Sequence, residues 1–118
     1  MKIADEKASS YHKRISTAMD YIQHNLADHD SEGLSLAAIA EAASMSPYHF
    51  HRVFKSVVGE TVADYIRRLK LEKSAGIFFY FKQARITEVA LALGFSSPQN
   101  LAKAFKRHFK LTPSDVKS

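Results

Sequence analysis

Apolar residues recur along this chain every three to four positions, the period of a helix with one buried stripe. Ile15, Ala18, Met19, Ile22 and Leu26 set the first run, and Ser9 or Ser10 is placed to cap its start. The first ten residues are polar and are expected to fray. Asp28-His29-Asp30-Ser31-Glu32-Gly33 reads as a loop by composition. Ser35 then caps a helix over residues 36–43, whose apolar side is Leu36, Ile39, Ala40 and Ala43. Ser46-Pro47 opens the next helix. Ser caps it, and Pro takes the first helical position, where a missing N–H costs nothing. Phe50, Val53, Phe54 and Val57 fall at i, i+3, i+4 and i+7, which predicts a buried stripe. Tyr48, His49, His51, Arg52 and Lys55 lie on the other side, and Gly59 is placed as a C-cap glycine.

The second half repeats this style. Residues 61–81 read as one long helix with apolar positions Val62, Tyr65, Ile66, Leu69, Ile77 and Phe81. A basic run, Arg67-Arg68-Leu69-Lys70, lies in its middle, and Gly76 weakens it. Residues 86–93 are helical, Gly94 is a turn glycine, and Ser97-Pro98 opens another helix. There Leu101, Ala104, Phe105 and His108/Phe109 face inward, while Gln99, Asn100, Lys103, Lys106 and Arg107 face out. Thr112-Pro113 caps a short final helix. No segment alternates as a strand does. The expected fold is all-α, with about seven helices. Expected boundaries are a disordered stretch at 1–10, a first subdomain at 11–60, a linker helix at 61–82 and a second subdomain at 83–118.

The chain also repeats itself. Ile39-Ala40 matches Val89-Ala90 at an offset of 50, with Ser44-Met45 against Gly94-Phe95. After the turn the offset becomes 51: Ser46-Pro47 matches Ser97-Pro98, and Phe54-Lys55 matches Phe105-Lys106. Each copy is a short helix, a tight turn and a second helix with a polar outer face, the helix-turn-helix arrangement. Small residues such as Ala40 and Ala90 let the helices cross closely. The second helix of such a unit buries one stripe and offers the opposite one to a major groove.

Charge sharpens that reading. Residues 1–46 carry four Lys/Arg against seven Asp/Glu, and residues 47–118 carry thirteen against five. The excess of +5 thus sits beyond the first third of the chain, which favours a polyanionic partner. With no Cys there is no disulfide, thiolate zinc site, iron–sulfur cluster or Cys nucleophile. No apolar run spans a bilayer, and the N-terminus lacks the apolar segment of a signal peptide. The expectation is a cytoplasmic protein with no membrane partner.

Other chemistry finds little support. His49 and His51 point different ways on their helix, and His12, His24 and His29 form no compact ligand set, so no metal or other cofactor is expected. No nucleophile motif or Gly-rich phosphate loop suggests an enzyme. Phe78-Phe79-Tyr80-Phe81 reads as the packed end of a core helix lying between the subdomains, with a partner surface as the other reading. Arg67, Arg68 and Lys70 are either phosphate contacts or a solvated face.

The duplicated segments resemble the DNA-binding domain of AraC/XylS-type bacterial transcription regulators. The resemblance rests on Leu36-Ala37-Ala38-Ile39-Ala40, Ser46-Pro47-Tyr48-His49-Phe50-His51-Arg52-Val53-Phe54-Lys55, Tyr65-Ile66-Arg67-Arg68-Leu69-Lys70-Leu71, Ile86-Thr87-Glu88-Val89-Ala90, Gly94-Phe95-Ser96-Ser97 and Phe105-Lys106-Arg107-His108-Phe109 with Thr112-Pro113. It covers roughly residues 11–117. It implies two helix-turn-helix subdomains joined by the long middle helix, with both recognition helices in successive major-groove segments.

The resemblance implies base-reading roles for Tyr48, His51 and Arg52 in the first copy and for Gln99, Asn100 and Lys103 in the second. Pro98 at the matching position offers only apolar contact. Ser46, Lys55, Ser97 and Lys106 are the phosphate candidates. Arg52 suits guanine, and Gln99 or Asn100 suits adenine. The implied partner is double-stranded DNA, read by a monomer at two half-sites about 10 bp apart. If the middle helix is rigid, the DNA must bend. RNA polymerase is a candidate second partner, the kind of protein that an interaction module on this scaffold would contact. Tyr11-His12-Lys13-Arg14-Ile15 resembles the branch in which a C-terminal effector-binding domain follows, so the chain is expected to be a stand-alone regulator or the DNA-binding part of a longer one.

Three positions depart from the family pattern. Lys110 stands where Gly is usual, Arg85 where a capping Ser is common, and Ser44 where the first turn usually has Gly. Modestly lower stability is the expected result. The competing reading is a protein-interaction module on the same scaffold, indifferent to charge reversal on its recognition helices.

Overall fold

The computed structural model describes residues 2–26 and 34–118, with side chains from Ser10 onward. Seven helices follow in order: α1 (Lys2–His24), α2 (Leu36–Ala42), α3 (Pro47–Val58), α4 (Val62–Tyr80), α5 (Ile86–Ala92), α6 (Pro98–Phe109) and α7 (Pro113–Lys117). No strand occurs among the described residues. The loop expected at Asp28–Gly33 lies outside them. α1 begins at Lys2, so the polar opening expected to fray is helical. Its Lys, Glu and Ala residues are strong helix formers, and propensity prevails there without an apolar stripe.

The chain divides into two compact units, and the division falls inside α4 between Ile66 and Arg67. The first unit packs Ile15, Ala18 and Ile22 of α1 with Ile39, Ala40, Ala43, Phe50 and Phe54 of the helix-turn-helix, all nearly inaccessible to solvent. The Phe54 ring contacts Phe50 at 5.5 Å and Tyr65 at 5.4 Å, edge-on to the latter. The second unit packs Leu71 and Phe78 of α4 with Val89, Ala90, Leu93, Leu101 and Phe105. Phe78 and Phe105 meet edge-on at 5.9 Å.

The repeat therefore extends beyond the two-helix motif. Ile15, Ala18 and Ile22 match Leu71, Ser74 and Phe78 at a constant offset of 56, and all six are buried. Each unit packs one stripe of a long helix, on α1 or on the second half of α4, against its own helix-turn-helix pair. The apolar period shifts phase within α4 where one unit gives way to the other. A single period fitted to the whole helix finds Val62 and Tyr65 but misses Leu71, Ser74 and Phe78. Buried Ser74 satisfies its hydroxyl by donating to the Leu71 carbonyl at 2.7 Å.

Other expectations need correction. Phe78 alone of its aromatic run is buried; Phe79, Tyr80 and Phe81 are 57%, 77% and 66% exposed. Successive helical residues are about 100° apart, so four in a row cannot share one core. Leu36 and Val57 are also exposed, at the edges of their stripes. His108 lies outside the core and stacks edge-on against half-buried Phe109.

The two turns are built alike. Met45 N–H donates to the Ala40 carbonyl and Phe95 N–H to the Ala90 carbonyl, both at 2.9 Å. The inner bonds run from Ser44 N–H to Glu41 and from Gly94 N–H to Leu91. This pairing is a Schellman motif, which requires a left-handed residue at its centre. Ser44 adopts φ 58 and Gly94 φ 78. Gly59 and Lys110 likewise end α3 and α6 at φ 92 and φ 65. Ser44 and Lys110 hold a backbone region that costs an L-residue about 1–2 kcal/mol. Arg85 precedes α5 with no side-chain cap bond. Thr112 compensates at α7 with a full capping box to Asp115. The hydrogen bond from Thr112 N–H holds the exposed Asp115 carboxyl below its ordinary range.

Candidate nucleic-acid interface

Ser46 and Ser97 aim the two second helices. Ser46 Oγ accepts from His49 N–H at 3.3 Å, and Ser97 Oγ accepts from Asn100 N–H at 3.0 Å. Each hydroxyl keeps its own proton to donate, and Pro at the next position fixes the entry angle. Phe50 and Phe54, like Leu101 and Phe105, anchor the inner stripe and fix which residues point out.

On α3 the outward stripe is Tyr48, His51, Arg52 and Lys55, all exposed. The Arg52 guanidinium lies 5.8 Å from the centre of the Tyr48 ring, which is 73% exposed. This contact pre-orders a flat donor fork beside an aromatic face. Lys55 Nζ reaches back to the Gly59 carbonyl at 3.4 Å, at the end of the helix. His49 turns to α1, where Tyr11 lies edge-on at 5.6 Å.

On α6 the outward stripe is Gln99, Lys103 and Lys106, all exposed. Asn100 is exposed too, but its amide donates to Ser96 Oγ. Half-buried Ala102 occupies the position matching His51. The outward polar stripe of α6 is thus sparser than that of α3. The end of α6 is richer in basic side chains: Arg107 and Lys110 stand at the positions of Ser56 and Gly59, beside Lys106 at the position of Lys55.

The basic run of α4 does not act as one cluster. Arg68 pairs with Glu72 at 3.1 Å. Lys70 is half-buried beside the second turn, its ammonium 3.2 Å from where a Cβ at Gly94 would stand, and burial lowers its pKa. Arg67 instead joins Arg107, His108 and Lys110 around Leu71 and Ala104. Sequence reading missed this grouping because Arg67 and Arg107 meet only through the fold. The local basic excess was its one visible trace. In the first unit Arg14 donates to the Ser44 carbonyl at 3.4 Å.

Among the described residues no three His, Asp or Glu side chains converge as a metal site, and no helix is long and apolar enough to cross a membrane. A helix-turn-helix domain profile matches residues 39–118. The fold superposes on an AraC-type DNA-binding transcriptional regulator from Chromobacterium violaceum with a TM-score of 0.77, at 25% identity and over 90% of each chain. This chain belongs to the AraC/XylS-type DNA-binding domain family. The Transposon Tn10 TetD protein of Escherichia coli is 37% identical over 85% of this chain and 69% of its own length. Regulatory protein SoxS of Salmonella typhimurium is 28% identical over 92% of this chain and 96% of its own. The Right origin-binding protein of Escherichia coli is 37% identical over 75% of this chain, which spans only 30% of that relative.

Proposed function

We propose that this chain is a transcription regulator that reads duplex DNA with α3 and α6 in successive major-groove segments. One observation carries the reading. Both copies preserve the cap, the turn and the buried stripe, and both present polar and cationic side chains on the opposite stripe. The names of its relatives, a regulatory protein and an origin-binding protein, support it.

Arg52 is the strongest reader, since its fork fits the two acceptors of guanine in the major groove. Tyr48 and His51 contact neighbouring base edges. Gln99, Asn100 and Lys103 read the second segment, Asn100 after leaving Ser96. Lys55, Lys106 and the hydroxyls of Ser46 and Ser97 hold phosphate and set register. A monomer engages two half-sites about one helical turn apart. Where α4 resists bending, the DNA bends, at an elastic cost on the order of a few kcal/mol. A gel-shift phasing assay on the fully engaged complex checks this; a straight duplex contradicts it. The chain acts in the cytoplasm, with RNA polymerase as its second partner. In a longer protein, a C-terminal effector-binding domain would add ligand control.

Charge reversal separates this reading from a protein-interaction module. Arg52→Glu together with Lys103→Glu should abolish both duplex binding and promoter control, measured by fluorescence anisotropy and a reporter. Promoter control surviving intact would overturn the DNA reading.

A further inference from the structure

The flank of α6 carries a second surface that base reading does not use. Arg67, Leu71, Ala104, Arg107, His108 and Lys110 line an open groove of about 270 Å³, entirely within the second unit. Its floor is apolar: buried Leu71 and half-buried Ala104. Its rim is cationic. Arg67, Arg107 and Lys110 are exposed, and none pairs with a carboxylate among the described residues. At about 100° per residue, Ala104 and His108 sit about 100–180° round the helix from Gln99, Lys103 and Lys106, and Arg107 lies between the two sets, about 40° from Lys103.

We infer that this groove docks an acidic segment of a partner protein, one apolar side chain seated over Leu71 and Ala104 and flanking carboxylates held by Arg67, Arg107 and Lys110. Charge complementarity selects the occupant. Over Arg67–Ser118 there are eleven Lys/Arg against three Asp/Glu, and Arg67, Arg107 and Lys110, none ion-paired among the described residues, ring an apolar floor. Two guanidinium groups favour carboxylates, which they bind in a fork. A DNA phosphate would use the rim but gain nothing from the floor, and the floor residue Ala104 lies about 100° or more off the outward stripe. Arginine-rimmed clefts that take acidic motifs combine these two elements. The inference stands whether or not α3 and α6 read DNA as proposed, because its primary readout is peptide binding by the chain alone.

The probe is a short synthetic peptide with a central Leu flanked on both sides by Asp and Glu. It is titrated into the ¹⁵N-labelled chain and followed by amide shifts, with and without a bound DNA duplex. Shifts should gather at Arg67, Leu71, Ala104 and Arg107, and the peptide should still bind when the duplex is present. Arg67→Gln with Arg107→Gln should weaken it about tenfold at unchanged circular dichroism, and Ser at the centre of the peptide should weaken it several-fold. Shifts centred on Arg52 or Lys103, equal binding of the Ser peptide, displacement by the duplex, or no binding would each overturn the inference. Displacement would reassign the groove to DNA phosphate.

Discussion

The first unit closes its helix-turn-helix with Ser44 and ends its recognition helix with Gly59. The second closes with Gly94 and ends with Lys110. Each thus meets one left-handed position with glycine and the other with a strained side chain. The scaffold tolerates this because the Schellman bonds and buried stripes persist in both. The surfaces diverge far more. Residues 1–66 carry six Lys/Arg against nine Asp/Glu, and Arg67–Ser118 carries eleven against three. Tyr48, His51 and Arg52 correspond to Gln99, Ala102 and Lys103 in the repeat. The frame is kept in both copies while the outer stripe differs: α3 presents an aromatic ring, an imidazole and a guanidinium, and the end of α6 presents more Lys and Arg.

The comparison breaks most forcefully in the cores. Phe54→Ala and Phe105→Ala should each cost about 3–5 kcal/mol, read by urea unfolding. Amide exchange should rise first in the unit that carries the lost ring. A loss under about 1 kcal/mol at either site would mean that its core is not closely packed. Next come the outer stripes. Arg52→Ala should cost about 1–3 kcal/mol and relax preference at one base pair, whereas Lys106→Ala should weaken all sequences alike and lower the salt slope by about one. Titration against a duplex panel at several salt concentrations separates the two.

Smaller effects probe the strained positions. Lys110→Gly should stabilise the second unit by about 1 kcal/mol, and Gly59→Ala should destabilise the first by a similar amount. Thermal melting of each variant checks the pair. Arg85→Ser should add about 0.5–1 kcal/mol by giving α5 a side-chain acceptor for Glu88 N–H and completing a capping box. No gain in denaturant midpoint would mean that the α5 start is already satisfied.

Much of this was legible in the sequence. Ser-Pro pairs and i, i+3, i+4 stripes located α3 and α6, because their signals are local. The missing α5 cap and the left-handed Lys110 were readable as departures from pattern. α4 was misread in its second half, since it belongs to two cores and no single period describes it. The exposed aromatic run was misread for a related reason, since apolar identity does not say which residue faces a core. The Arg67–Arg107 grouping and the bond holding Asn100 to Ser96 required the fold, because they depend on packing and rotamers rather than spacing.

The most direct measurement is selection of bound duplexes from a random DNA pool at two salt concentrations. The expected result is a split motif with two elements about one helical turn apart, the better defined one lost in Arg52→Ala. A single element, or no motif with binding that collapses as salt rises, would contradict it.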